Sequence, residues 1–178
     1  MEEKEAKEKK QKWIEKYKIV IILSISETSS VRQFTDKPVN RATLERVLKT
    51  AQRSPSGGNT QPWNAVIVGG DKLTRIADAI KAKVPEAPMG ENHEYAIYPG
   101  ELDGRYEEQR RGVGKDMFDA IGLEREDGPG RIAQMAKNWD SFGAPVQLFT
   151  YTRKYMGPPQ WSDMGMWLQT VMLLLREQ

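Results

Sequence analysis

Residues 53–63 read RSPSGGNTQPW, and the fold turns on what this stretch does. Pro55 ends the helical pattern before it, and Pro62 fixes the exit into the apolar run that follows. Gly57 and Gly58 allow positive φ and close approach of the backbone to another group. Ser56, Asn59, Thr60 and Gln61 supply hydroxyls and carboxamides that can point into a cleft. An isolated PSGG is ordinarily a surface turn. The amide pair Asn59/Gln61, and Trp63 entering the next element at once, favour a loop that holds something.

The elements on either side carry clear periodicities. Upstream, residues 38–53 predict a helix, with Asn40 as its cap and Leu44, Val47, Leu48 and Ala51 on one face. Downstream, Ala65-Val66-Ile67-Val68, closed by Gly69-Gly70, predicts a short buried strand. Asp71 is the expected cap of a third element, a helix with Leu73, Ile76, Ala77 and Ile80 on one side. Residues 84–104 hold Pro85, Pro88, Pro99, Gly90, Gly100 and Gly104 and predict a loop longer than passive connectors usually are. Its Tyr95 and Tyr98, with Arg110 and Arg111 beyond, form either a solvent-facing surface or a contact for an aromatic acid. Residues 105–123 predict a charged helix, and Asp127-Gly128-Pro129-Gly130 a break before helix resumes at Ile132. Residues 146–151 alternate as a strand, and residues 161–176 predict a helix with a wide apolar face: Met164, Trp167, Leu168, Val171, Met172 and Leu175. That face suits ordinary core or packing against a second subunit. The elements follow no βαβ rhythm and no GxGxxG follows a strand, so α+β is the expected class.

Composition removes several kinds of chemistry. The chain has 178 residues, a length expected to form one domain, and its mean hydropathy of −0.67 predicts a thin core or one completed by a partner. A net charge of +2 argues for neither nucleic acid nor an anionic membrane as partner. There is no cysteine, which excludes thiolate nucleophiles and Cys-ligated metals, and His93 is the only histidine. Multi-histidine metal sites are therefore excluded, and no GxSxG accompanies His93 to build a serine triad; a polar loop beside Pro88, Gly90 and Asn92 is its expected setting. Difficult chemistry would need a borrowed cofactor. At the N-terminus, residues 1–18 alternate Lys and Glu as a solvated helix or disordered arm. The apolar run at 19–25 falls well short of the roughly 20 residues that span a bilayer. It makes a poor signal peptide too, so a strand or helix end and a cytoplasmic location are expected.

The ordered set of motifs resembles the nitroreductase family. Ser30-Val31-Arg32-Gln33-Phe34, Lys37-Pro38-Val39, and Pro55 through Trp63 look like its N-terminal signature. Phe142-Gly143-Ala144-Pro145 and Gly157-Pro158-Pro159-Gln160-Trp161-Ser162-Asp163 resemble its later pieces. The likeness covers residues 26–178, leaving 1–25 as a charged N-terminal extension. It implies an α+β fold with a mixed or antiparallel central sheet flanked by helices. It also implies a homodimer with FMN at the interface, NAD(P)H as electron donor, and nitroaromatic, quinone or similar acceptors reduced by ping-pong transfer. By the resemblance, Arg32 lies near the pyrimidine edge of the flavin, where a positive charge would stabilise the anionic reduced ring. Asn59 matches the amide that hydrogen-bonds the ring edge, Pro55, Ser56 and Gly57 close the loop on the cofactor, and Ser30 contacts the phosphate. No catalytic side chain and no metal are implied, since solvent can supply protons.

Departures from the family pattern are as informative. Thr28 and Ser29 stand at the phosphate end where the family usually carries two arginines, so a charge-assisted contact is replaced by hydroxyls. The chain stops at Gln178, where family members continue through a loop beside the reactive flavin nitrogen, further basic phosphate ligands and an extension that wraps the other subunit. The domain is thus expected to be incomplete at its C-terminus. Two other readings follow: a non-catalytic dimerisation or binding module with weak or no flavin, and a subunit whose missing wall comes from another polypeptide.

Overall fold

Asn40 starts the helix that leads to the loop, and it does so by the expected chemistry. Its Oδ1 accepts the backbone N–H groups of Ala42, at 2.8 Å, and Thr43, at 3.3 Å, which the first helical turn would leave unpaired. A computed structural model describes residues 2–87, 90, 91 and 95–178. In chain order the elements are α1 (Glu2–Ser26), α2 (Arg41–Ala51), β1 (Asn64–Gly69), α3 (Asp71–Lys83), α4 (Gly104–Ala120), α5 (Gly128–Ala136), β2 (Val146–Tyr151) and α6 (Pro158–Arg176). Short 3₁₀ turns cover Gly57–Asn59 and Lys137–Gly143. β1 and β2 pair into a two-stranded antiparallel sheet. Helices and one small sheet make the class α+β, as expected from the sequence.

The chain packs as two compact units. The first comprises residues 1–32, 36–68 and 145–178 and contains α1, α2, nearly all of β1, β2 and α6. Its core is Val47 and Ala51 from α2, Trp63 from the end of the loop, and Trp167 and Val171 from α6. The two indoles stack with centroids 6.0 Å apart and planes 11° from parallel. Leu48, Leu148, Met164, Leu168 and Leu174 close the margin. The a/d-like spacing in α2 and the helical spacing in α6 therefore meet each other, with the loop's terminal tryptophan inserted between them. At the far end of α6, Arg176 pairs with Glu27 just beyond α1.

The second unit comprises residues 33–35 and 69–144. α3 and α5 both pack on the 137–143 turn, Lys81 pairs with Asp140 at 3.3 Å, and the Phe34 N–H donates to the Phe142 carbonyl at 3.2 Å. Phe118 is buried near the end of α4 with the Arg131 guanidinium 3.9 Å from its ring centroid. Arg110 lies 5.6 Å from the ring centroid of Tyr98 and, with Arg111, hydrogen-bonds Glu107. Those bonds, Arg110's first, pull the Glu107 carboxyl down to about 2, so both guanidinium groups already face an ionised partner on their own helix.

Of the two settings expected for the apolar run at 19–25, strand or helix end, the structure shows the helix end, that of α1. Other expectations change. Gly70, at φ 57°, precedes the helix that Asp71 begins, so Asp71 sits inside the first turn and not at the cap. The Asp127–Gly130 stretch opens α5 instead of merely breaking the preceding helix. The Asp127 carboxylate accepts the Gly130 N–H at 2.9 Å, and Pro129 occupies the first turn, where a missing N–H costs nothing. β1 is not buried: Val66 is 48% and Ile67 40% exposed, because a two-stranded sheet provides no covering layer. His93 lies outside the described residues. Among the described residues no helix is long and apolar enough to cross a membrane.

Candidate functional site

The loop after α2 is a folded object with its own hydrogen-bond logic. Ser56 is extended, and its Oγ accepts the Gln61 N–H at 3.0 Å, while its carbonyl accepts the Asn59 N–H at 3.0 Å. The Gly57 carbonyl takes the Thr60 N–H at 3.2 Å, which completes the 3₁₀ turn. Of the two glycines only Gly58 uses the left-handed region, at φ 58°; Asn59 and Gln61 follow it there at 54° and 45°. Two non-glycine residues in that region, separated only by Thr60 at φ −71°, are rare, and asparagine tolerates it best. A Cβ at position 57 would meet nothing nearer than Asp163 Oδ2 at 3.8 Å, ordinary contact. Gly57→Ala is therefore expected to be neutral or slightly stabilising, and Gly58→Ala to cost about 1 kcal/mol. Paired urea denaturation curves check the contrast, and equal effects at the two positions would contradict it.

The side chains of this loop divide into committed and uncommitted groups. Gln61 Nε2 donates to Asn59 Oδ1 at 3.0 Å, which orients the Asn59 carboxamide and leaves its two Nδ2 hydrogens without an acceptor among the described residues. Trp63 Nε1 donates to Gln52 Oε1 at 2.7 Å, tying the loop's exit to the end of α2. Ser54 is buried and its Oγ has no hydrogen-bond partner among the described residues. Beneath the turn, the Gly57 N–H donates to Asp163 Oδ2 at 3.2 Å. Asp163 is 6% exposed and lies on the second turn of α6.

Residues 28–32 follow α1 as an exposed, irregular segment in the same compact unit as the loop. Thr28 Oγ1 donates to the Ser24 carbonyl at 2.5 Å, so this hydroxyl caps the end of α1. Ser29 and Ser30 are exposed. Arg32 Nη1 reaches the Ser30 carbonyl at 3.4 Å, a long bond that leaves most of the guanidinium donors unused. Reasoning from sequence identified the loop and Arg32 as candidates but missed the roles of Gln52 and Asp163. Asp163 stands 106 residues from Gly57, and only tertiary packing joins them. The one available signal was its place in the Gly157-to-Asp163 motif at the start of α6.

The arrangement is a rigid polar turn whose exit, Trp63, belongs to an aromatic core, with the Arg32 guanidinium in the same compact unit. Residues 25–178 match the model of the nitroreductase family. The chain belongs to the nitroreductase family. It is 31% identical over 153 residues to a nitrobenzene nitroreductase of Ectopseudomonas oleovorans, an alignment covering 84% of this chain and 66% of that protein. It is 27% identical over 154 residues to a 4-nitrobenzoate reductase of Pseudomonas putida, covering 86% and 66%. The chain thus spans 66% of the length of these relatives. Among solved structures, the FMN- and NADPH-dependent nitroreductase NfnB from Sphigopyxis sp. strain HMH superposes with a TM-score of 0.84 at 48% identity, over 87% of this chain and 70% of that one. The FMN-dependent nitroreductase NfnB from Mycobacterium smegmatis, solved with NADPH, gives 0.81 at 25% identity, over 89% and 71%. The nitroreductase-like α+β fold is therefore established for residues 25–178.

Proposed function

We propose that this chain is an FMN-dependent oxidoreductase that takes electrons from NAD(P)H and passes them, in ping-pong fashion, to nitroaromatic, quinone-like or similar small acceptors. The observation that carries the reading is the preformed turn at 56–61, which holds the Asn59 carboxamide oriented and undersupplied with acceptors. A flavin ring edge presents carbonyl and ring-nitrogen acceptors, the complement of such a group. The largely unspent Arg32 guanidinium fits the same cofactor. Bound FMN would supply the redox chemistry, and the chain's part is to hold and tune it. Arg32 and Asn59 would face the ring edge, Pro55, Ser56 and Gly57 would shape the wall, and Ser29 and Ser30 would reach toward the phosphate. Thr28 belongs to that end of the site as well, with its hydroxyl proton committed to Ser24. Relatives described as FMN- and NADPH-dependent, or as reducing nitrobenzene and 4-nitrobenzoate, support the cofactors and acceptor class.

A homodimer in the cytoplasm is part of this proposal, with residues 26–178 as the nitroreductase-like domain and 1–25 as its extension. Exposed apolar side chains on β1 and on α6, including Val66, Ile67, Trp161, Met166, Met172 and Leu175, support a partner surface. One observation favours a second reading, a binding module with weakened flavin affinity: hydroxyls occupy the positions of the family's arginine pair, and one of them is spent on α1. A single experiment separates the two. Protein purified without added cofactor is expected to be yellow and to release FMN on denaturation. Colourless protein that takes up no FMN at high concentration would overturn the oxidoreductase reading and leave the module.

A further inference from the structure

Asp163 is a carboxylate in a position that costs free energy. It is 94% buried, given its 6% exposure, yet among the described residues it enters no ion pair and accepts one hydrogen bond, from the Gly57 N–H at 3.2 Å. Burying an ion with one neutral donor is unfavourable unless the contact serves something. What it touches is the first residue of the turn that ends at Asn59. Gly57 and Ser56 carry the remaining bonds of that turn, to Thr60 N–H, Asn59 N–H and Gln61 N–H. Fixing Gly57 therefore fixes Asn59, whose carboxamide is oriented in turn by Gln61.

We propose that Asp163 is a positioning residue for the flavin-edge loop: from α6 it anchors Gly57 and so sets where the Asn59 carboxamide stands. The inference rests on the FMN reading given above for the loop's purpose, but the anchoring itself does not need the cofactor. The first measurement is amide hydrogen exchange, by NMR, on protein stripped of any flavin. Asp163→Ala is expected to speed exchange at residues 57–61 by about tenfold, the loss of one charge-assisted bond, while α2 and α6 keep their protection. Asp163→Asn keeps an acceptor oxygen and is expected to restore most of the protection. The second measurement is FMN affinity by fluorescence quenching: about a tenfold weakening for Asp163→Ala, with substantial recovery for Asp163→Asn.

Val47→Ala serves as a control for general destabilisation, since it weakens the shared core of α2, α6 and Trp63 while keeping the Asp163–Gly57 bond. If Asp163→Ala leaves exchange at 57–61 unchanged, or raises it only in step with the whole domain as Val47→Ala does, the proposal is wrong. Normal FMN affinity in a folded Asp163→Ala protein likewise overturns it. If the unmodified chain takes up no FMN, the oxidoreductase reading fails, and the exchange pattern alone then decides whether Asp163 anchors the loop.

Discussion

Trp167→Ala is expected to remove most of the stability of the first compact unit. Trp167 is 1% exposed, stacks on Trp63, and sits among Val47, Ala51 and Val171, so it touches every element that holds the loop in place. Truncating a buried tryptophan costs about 3–5 kcal/mol through lost transfer energy and the cavity left behind. Domains have about 5–15 kcal/mol in total, and this one has a thin core. The expected result in urea denaturation followed by circular dichroism is a midpoint shifted far toward zero denaturant. The loop should suffer with it, because Trp63 would lose the ring it stacks against. Trp167→Phe provides the contrast. The Trp167 Nε1 is buried with no hydrogen-bond partner among the described residues, a donor desolvated for no return. Phenylalanine discards that donor while keeping an aromatic face for Trp63, so its cost should be less than half that of alanine. Equal costs for the two variants would show that the indole ring is not the keystone of this core.

The same core explains what could be read in advance. α2, β2 and α6 were legible because their apolar residues recur at the period of their own element and meet one partner, and Asn40 caps α2 through bonds that span three residues. Local chemistry of this kind is written locally. β1 was legible as a strand but not in its exposure, since four consecutive apolar residues specify a strand without specifying what covers it. The Asp127–Gly130 stretch was misjudged for a related reason. Gly and Pro together mark the edge of an element, and the side chain of Asp127 decides that the edge is a beginning. In the site, the turn residues announced themselves by type, and the resemblance to the family assigned them roles. What holds them was not visible: the Asp163 bond to Gly57 and the Gln52 bond to Trp63 depend on α6 and α2 coming together around the tryptophan pair.

Arg32→Ala is expected to leave the fold nearly untouched and to weaken FMN binding by an order of magnitude or more. The structural side follows from what the guanidinium does in the chain, which is a single long bond to the Ser30 carbonyl from an exposed position. Substitutions of that kind usually change stability by no more than about 0.5 kcal/mol. The binding side follows from what a charged donor is worth when it meets an acceptor in a partly desolvated site, about 1.5–3 kcal/mol. That range converts to roughly ten- to a hundredfold in affinity. The effect should be large here, because Thr28 and Ser29 offer no second charge to share the load. Arg32→Lys should recover only part of the loss: an ammonium restores the charge but not the planar fork of donors. Fluorescence titration with FMN gives the affinity, and stopped-flow mixing with NADPH gives the rate at which bound flavin is reduced, which should fall in parallel. Unchanged affinity and an unchanged rate in Arg32→Ala would remove this residue from the site. The grip on the cofactor would then rest on Asn59 and the loop that Asp163 anchors.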